Sequence, residues 1–407
     1  MYINWFVYAA LIIVLLWGAH FAGFGTRFNE DFLSLKATRS LRGFSTLCIL
    51  LHHISQEVAF RQSKTLSLFP NIGYLFVGIF FFCSGYGLLK SLYTKPDYLK
   101  TFFKKRVLHM VVSFYVMTVI YAIYKVSTHA EMPVSRWILS FTGLVLINNQ
   151  AWYVIVLLSF YIAFYFIFKN IKHKGLAFSL MLLVILAEGA VFVGGGHFAW
   201  WAGKTKWWYA PFAFQKEPWW KSLDTLWFQG EWWVNSSIAF FVGLLFAHWE
   251  DRIVSFFKKW YWLKLAALVV LTAAFMCLSF YCQGKISYWG EWSGKAPAAL
   301  IFDRAVCYAS QIPQVVFFTL FVFILMMKLY TVNPVTNFFG NLSLEAYLMQ
   351  LIPVTLFRFL IFADGKPVFK ENYTNLAAYL LLVMATTIAF ALLYKATNKV
   401  VLKALGE

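Results

Sequence analysis

The chain has 407 residues, 61% of them hydrophobic and only 13% charged, with a mean hydropathy of +0.67. So little polar surface excludes a soluble globule of this size and implies a multi-pass membrane protein. The formal net charge of +18 would suit nucleic acid, but Lys and Arg fall in short clusters between apolar runs, so anionic lipid heads and the positive-inside rule are the expected reason, with no nucleic-acid partner.

In chain order, a hydrocarbon core of roughly 30 Å asks for about 20 apolar residues per helix. On that ruler eleven spans are predicted, near 5–25, 43–60, 72–90, 107–125, 151–168, 176–196, 233–249, 263–282, 310–327, 343–362 and 375–394. The first, "WFVYAALIIVLLWGAHFAGFG", is followed by Arg27 and Lys36, has no basic residue before it and shows no small-residue cleavage site. It reads as a retained anchor with its N-terminus outside. The short apolar stretch Ser135 to Asn149 would make a twelfth span. A twelfth crossing would turn the last three basic clusters outward, so this stretch is expected to be a short or re-entrant outer element. The predicted fold is therefore all-α: a polytopic membrane bundle of about eleven helices, N-terminus outside and C-terminus cytoplasmic. Cysteines 48, 83, 277, 282 and 307 contain no C-x-x-C and mostly lie in apolar runs, which reads as buried thiols with no metal site.

The second span carries the first chemical signal. In "RGFSTLCILLHHISQE", Arg42 sits at the predicted cytoplasmic mouth and His53 lies eleven residues on, roughly 16 Å along a helix and near mid-membrane. Glu57 is four residues beyond His53, so its carboxylate is expected on the same helix face, holding the imidazole's tautomer. A single histidine in a bundle can simply bond a neighbouring helix. Ionisable residues inside the membrane are nevertheless expensive, and two histidines with a carboxylate one turn on point to function.

These residues resemble the acyltransferase-3 family of integral membrane acyltransferases. "LRGFSTLCILLHH" is similar to the family's L-R-G, apolar run, His pattern, and "GYLFVGIFFFCSGYGLL" to its next helix, through Gly73, Phe81, Ser84 and Gly85. "FFKKRVLHMVVSFY" resembles the basic opening of the following helix, with Lys104, Lys105 and Arg106. "AWYVIVLLSFYIAF" is similar to the Trp-led segment, with Trp152 and Tyr153. "FFGNLSLEAYLMQLIPV" resembles the closing helix, with Ser343, Tyr347 and Gln350, the last standing where many members have histidine. The resemblance runs over about 38–395. It leaves 1–37 as an extra N-terminal helix and cytoplasmic loop, and 396–407 as a short basic cytoplasmic tail.

The resemblance implies a ten-helix core, an acyl-CoA donor on the cytoplasmic side, acetyl-CoA or a relative, and a saccharide or glycolipid acceptor outside, in a bacterial cytoplasmic membrane. Arg42 and His53 inherit the family's essential pair. Clustered cations suit the phosphates of CoA, which makes Arg39, Arg42, Lys104, Lys105 and Arg106 donor-site candidates. The run Lys104 to Arg106 reads equally as a positive-inside signal. Acyl transfer to a hydroxyl needs a base and oxyanion donors. His53 is the expected base or a transient acyl carrier, and Ser84 with Gly85 would let backbone approach the thioester or would serve packing. Glu188, a second membrane carboxylate, is expected to pair with a histidine or substrate, or to mark a helix end.

The segment 198–233 holds nine of the eighteen tryptophans. Indole faces suit sugars, and they equally suit the headgroup belt. Trp232 and Trp233, with Trp152, Tyr153, Glu188, Tyr347 and Gln350, are the acceptor-site candidates, and Glu217, Asp224 and Glu231 are further hydroxyl-bonding groups. With no SGNH-type domain fused, the acyl group is expected to pass directly to the acceptor or to a separate extracytoplasmic partner. The competing reading is a proton-coupled transporter or flippase using Arg42, His53 and Glu57 as a relay. Its expected sign, two halves with matching broken helices, is not visible in the sequence.

Overall fold

The computed structural model describes residues 2–130, 132, 134–143, 146–196, 230–290, 293–363, 366–367 and 373–406. Among them the chain is helical, the only strands being two short antiparallel pairs: β1 (His20–Phe21) with β2 (Leu329–Tyr330), and β3 (Phe362–Ala363) with β4 (Lys366–Pro367). Seven described helices are long and apolar enough to cross a membrane: Gly73–Thr94, Phe103–Ser127, Asn149–Asn170, Lys174–Gly195, Tyr261–Lys285, Pro297–Met326 and Asn375–Ala404. The other predicted spans differ in instructive ways. The first is a 15-residue helix, α1 (Tyr2–Leu16). The span near 43–60 starts earlier and ends sooner, as α2 (Leu35–Ser55), whose hydroxyls and charges hold its mean hydropathy low. That near 343–362 is broken at Gln350 and again before Phe357. The predicted short outer element is a nine-residue helix, Val134–Thr142.

The chain divides into two compact units: residues 1–83, 250–268 and 318–407 form unit 1, and 84–249 with 269–317 form unit 2. Unit 1 is built on α2. Ser34 caps it, its hydroxyl accepting from Ala37 N at 3.3 Å, which satisfies one of the free amides at a helix start. Ser45 and Thr46 return their hydroxyls to the carbonyls of Leu41 and Arg42 at 2.9 and 2.8 Å, so neither leaves a bare donor in an apolar helix. Beyond α2, unit 1 contains α3 (Val58–Ser63), the first half of α4 (Gly73–Thr94), and the helices labelled here α13 (Pro334–Asn341), α14 (Ser343–Met349), α15 (Leu351–Leu356) and α16 (Tyr373–Ala404).

Asn333 and Thr336 form a reciprocal capping box at the start of α13, with Pro334 in the first turn, where its missing N–H costs nothing. The same Asn333 side chain donates to the carbonyls of Val14 and Trp17 at 2.8 and 3.2 Å, tying α1 down. Two glycines set the crossing of α2 and α13. A Cβ on Gly43 would fall 2.6 Å from Gly340 N and closer still to the Thr336 carbonyl, and a Cβ on Gly340 would lie 2.8 Å from Arg39 Cγ. Small residues that let backbones touch are how membrane helices pack. Ser40 stitches the crossing with hydrogen bonds to Thr336 Oγ1 at 2.6 Å and the Thr331 carbonyl at 2.8 Å. On the far side of α2, Leu50, Leu51, Ile54, Phe60, Val354, Tyr379 and Val383 close the core of the unit.

Unit 2 holds the rest of α4 together with α5 (His109–Ser127), α6 (Val134–Thr142), α7 (Trp152–Asn170), α8 (Lys174–Gly195) and α9 (Ile238–His248). After α10 (Glu250–Lys258) in unit 1, residues 269–285 of α11 (Tyr261–Lys285) and 297–317 of α12 (Pro297–Met326) also belong to unit 2.

Candidate active site

Arg42 and His53 both lie on α2. Eleven residues at 100° each return to within about 20° of the same direction, three turns on, so the two side chains share one helix face roughly 16 Å apart. Both carry a buried polar atom with no hydrogen-bond partner among the described residues: Arg42 Nε and His53 Nδ1. Buried polar atoms are nearly always bonded. These two nitrogens, on one face of one helix, are available to bond a molecule other than the protein.

Around His53, which is buried, the broken helix α14–α15 supplies the walls. The Tyr347 ring is 6.2 Å from the imidazole. Gln350 lies close enough to influence the ring, yet no side-chain atom closes a hydrogen bond of ordinary geometry on Nδ1. Gln350 Nε2 is instead turned back to the Tyr347 carbonyl at 2.9 Å. Around Arg42, Glu345 on α14 and Cys83 on α4 are within electrostatic range. Lys395 on α16 is also within electrostatic range of Glu345.

His52, by contrast, is fully engaged. Its Nδ1 lies 2.8 Å from the Phe69 carbonyl and its Nε2 3.1 Å from Gln56 Nε2. A carbonyl only accepts, so Nδ1 carries the proton and Nε2 accepts from the amide. Gly73 makes room for the ring, since a Cβ there would sit 2.5 Å from His52 Cβ and nearer to its ring. The two adjacent histidines are therefore unlike: both ring nitrogens of His52 are bonded, whereas His53 Nδ1 has no partner among the described residues.

The expected pairing of Glu57 with His53 is not formed. The helix stops at Ser55, Gln56 caps it, and Glu57 takes extended backbone angles at the start of α3. The i, i+4 geometry is lost with the helix. The carboxylate instead forms a two-pronged pair with Arg358, Nε to Oε2 at 2.9 Å and a terminal nitrogen, Nη2, to Oε1 at 2.7 Å. Sequence reasoning missed Arg358 because 301 residues separate the partners. It also missed Glu345, whose only signal was a charge inside the closing-helix motif.

The remaining candidates belong to unit 2, apart from Arg39, half-buried on α2 against Gly340. Ser84 Oγ is 3.5 Å from the Tyr153 hydroxyl. Gly85 faces the Phe240 carbonyl, and a Cβ would lie 3.1 Å from its carbon, so this glycine serves the α4–α9 contact. Lys104, Lys105 and Arg106 fall in a π-helical turn, Phe103–Leu108, a local widening of the helix that recurs at functional sites. Lys104 and Lys105 are exposed, while Arg106 is half-buried with Nε on the Tyr98 hydroxyl at 3.2 Å. Trp152 begins α7 half-buried and Tyr153 is buried. Trp233 is buried and Trp232 half-buried in a short turn, Gly230–Trp233, where Glu231 accepts from Trp289 Nε1 at 3.0 Å. Glu188 meets Ser159, not a histidine. The other seven tryptophans of the predicted aromatic loop, with Glu217 and Asp224, lie outside the described residues.

The profile of the acyltransferase-3 family, described as an acyltransferase domain, matches residues 37–395. The chain belongs to this family. No curated protein and no solved structure matches it. Within the family match, an imidazole and a guanidinium on one helix face, each with one buried nitrogen unpartnered among the described residues, belong to a membrane acyltransferase. The multi-pass character follows from the seven apolar helices together with that membership.

Proposed function

We propose that this membrane acyltransferase moves an acyl group, acetyl in the simplest case, from cytoplasmic acyl-CoA to a hydroxyl of an extracytoplasmic or lipid-linked saccharide. The observation that carries the reading is the pair of unpartnered atoms, Arg42 Nε and His53 Nδ1, about three helix turns apart on one face of α2. Arg42 is placed to hold a phosphate of the donor, and the separation suits an extended pantetheine arm with its thioester near His53. The imidazole takes the proton as the acceptor oxygen attacks the thioester carbon. The C–S bond breaks, and the proton passes to the departing thiolate, so the step balances as an alcohol and a thioester giving an ester and a thiol. A neutral imidazole is the form this requires. An acyl-imidazole carrier uses the same atoms in two steps.

The proposal includes eleven crossings with the N-terminus outside and the C-terminus cytoplasmic, in a bacterial cytoplasmic membrane. It assigns Arg39, on the same helix as Arg42, to the phosphates of the donor. Acceptance by a separate extracytoplasmic protein is compatible with the same chemistry. The relay on which a transporter would depend is interrupted, because Glu57 is held by Arg358.

Calorimetric titration of acetyl-CoA into purified wild type, Arg42→Ala and His53→Ala tests this. Binding by wild type that Arg42→Ala loses and His53→Ala keeps, with transfer abolished in His53→Ala, is the expected pattern. Full transfer by His53→Ala would overturn the mechanism, and absence of binding by folded wild type would overturn the donor assignment.

A further inference from the structure

Unit 2 carries a second set of polar groups at membrane depth. Glu188 stands fourteen residues into α8 (Lys174–Gly195), about 21 Å along it. Its Oε1 accepts from the Ser159 hydroxyl of α7, while Oε2 is buried with no partner among the described residues. Tyr308 on α12 is within electrostatic range of Glu188, and its hydroxyl is likewise buried and unpartnered. The closeness is built in. A Cβ on Gly189 would lie 2.5 Å from Tyr308 Cζ, so the ring lies against α8 only because position 189 is glycine. No cation figures among the groups acting on Glu188. The nearest basic side chain along α12, Arg304, commits its Nε to the Val193 carbonyl at 2.8 Å.

A carboxyl and a phenol in a membrane interior are costly when nothing bonds them. Within the folded chain, a phenylalanine would fill the ring's place equally well and leave no polar atom bare. The two open atoms differ in kind: the carboxyl oxygen accepts, and the phenol both donates and accepts. An alcohol hydroxyl, which donates once and accepts once, matches both in kind. The same face of α12 continues through Gln311, three residues on, which accepts from the Tyr288 hydroxyl at 2.7 Å and donates to Asn235 at 3.3 Å.

We propose that Glu188 and Tyr308, with Ser159 orienting the carboxyl, form a subsite that binds a hydroxyl group of a saccharide-type acceptor. That the bound molecule is the acyl acceptor rests on the acyltransferase reading above, whereas the binding itself does not. The probes are methyl glycosides of glucose, galactose, mannose and N-acetylglucosamine, titrated to high millimolar concentration while the thermal midpoint of the detergent-purified full chain is followed. The proteins are wild type, Glu188→Gln, Tyr308→Phe and the double variant.

At least one glycoside is expected to raise the wild-type midpoint. Each single variant should need about tenfold more for the same rise, and the double variant little more than either single one, because the two groups bind one hydroxyl. Affinity for acetyl-CoA, measured in parallel, should be unchanged in both. The proposal is overturned if no glycoside stabilises wild type, which would leave a water site only. It is also overturned if the variants respond as wild type does, or if they lose unliganded stability and acetyl-CoA affinity together. Glycoside stabilisation that depends on Glu188, in a protein that does not bind acetyl-CoA, would keep the subsite and sink the acyltransferase reading instead.

Discussion

Gly43→Ala is the perturbation whose consequence the structure specifies most closely. The added methyl would lie 2.6 Å from Gly340 N and nearer to the Thr336 carbonyl. Comfortable carbon-to-oxygen contacts begin at roughly 3.3 Å, so relieving the Gly340 contact alone asks for about 0.7 Å and the nearer Thr336 carbonyl for well over that. The atoms in the way are backbone of a capped helix, not the flexible end of a side chain. Ser40 would lose its bonds to Thr336 and Thr331, which are 2.6 and 2.8 Å long.

Overpacking of this kind costs about 1–3 kcal/mol and sometimes more, and the lost hydrogen bonds add roughly 1 kcal/mol each, so a total of about 3–5 kcal/mol is expected. Because Arg42 is the preceding residue, acetyl-CoA affinity should fall with the stability. Thermal unfolding and calorimetry on Gly43→Ala, beside Gly87→Ala as control, make the test. Nothing lies within 4 Å of a Cβ on Gly87, so there the change should be neutral or gain up to about 1 kcal/mol of helix propensity. Wild-type stability and binding in Gly43→Ala would refute the reasoning that this glycine sets the crossing.

Three further outcomes follow from the same contacts. Arg358→Met strands the buried Glu57 carboxylate; a broken buried pair costs about 3–5 kcal/mol, and the 49% exposure of the Arg358 side chain reduces this to about 2. Glu57→Gln in the same chain should restore part of the loss in denaturation measurements, and a purely additive pair would refute the coupling. Lys328→Met leaves the carbonyls of Gly23, Gly25 and Arg27 without the ammonium that now bonds all three at 2.6–3.0 Å. It should cost about 3 kcal/mol and speed hydrogen exchange in residues 22–29, which an unchanged exchange map would contradict. His52→Phe should lower the thermal midpoint by removing the bond to Phe69, yet retain acyl transfer in the surviving folded fraction. Complete loss of transfer at wild-type stability would instead give His52 a chemical role.

The sequence by itself determined the membrane class and the family, and it singled out Arg42 and His53 as candidates. Those readings depend on composition and on spacing along one helix, and hydropathy and an eleven-residue interval are properties of a single segment. Residues 343–362 read as one continuous span, and the breaks near Gln350 were missed, because nothing local says that a span of adequate length will bend. Glu57 shows where local reasoning ends. Its four-residue spacing from His53 was correct arithmetic on a helix that stops two residues too soon, and its partner lies 301 residues away. Only the tertiary structure decided that both ring nitrogens of His52 are bonded while His53 Nδ1 is not, that Gly43 and Gly340 set one crossing, and that the Tyr308 ring packs on Gly189 beside Glu188. Each of these depends on which atoms of distant segments compete for the same space or the same hydrogen bond.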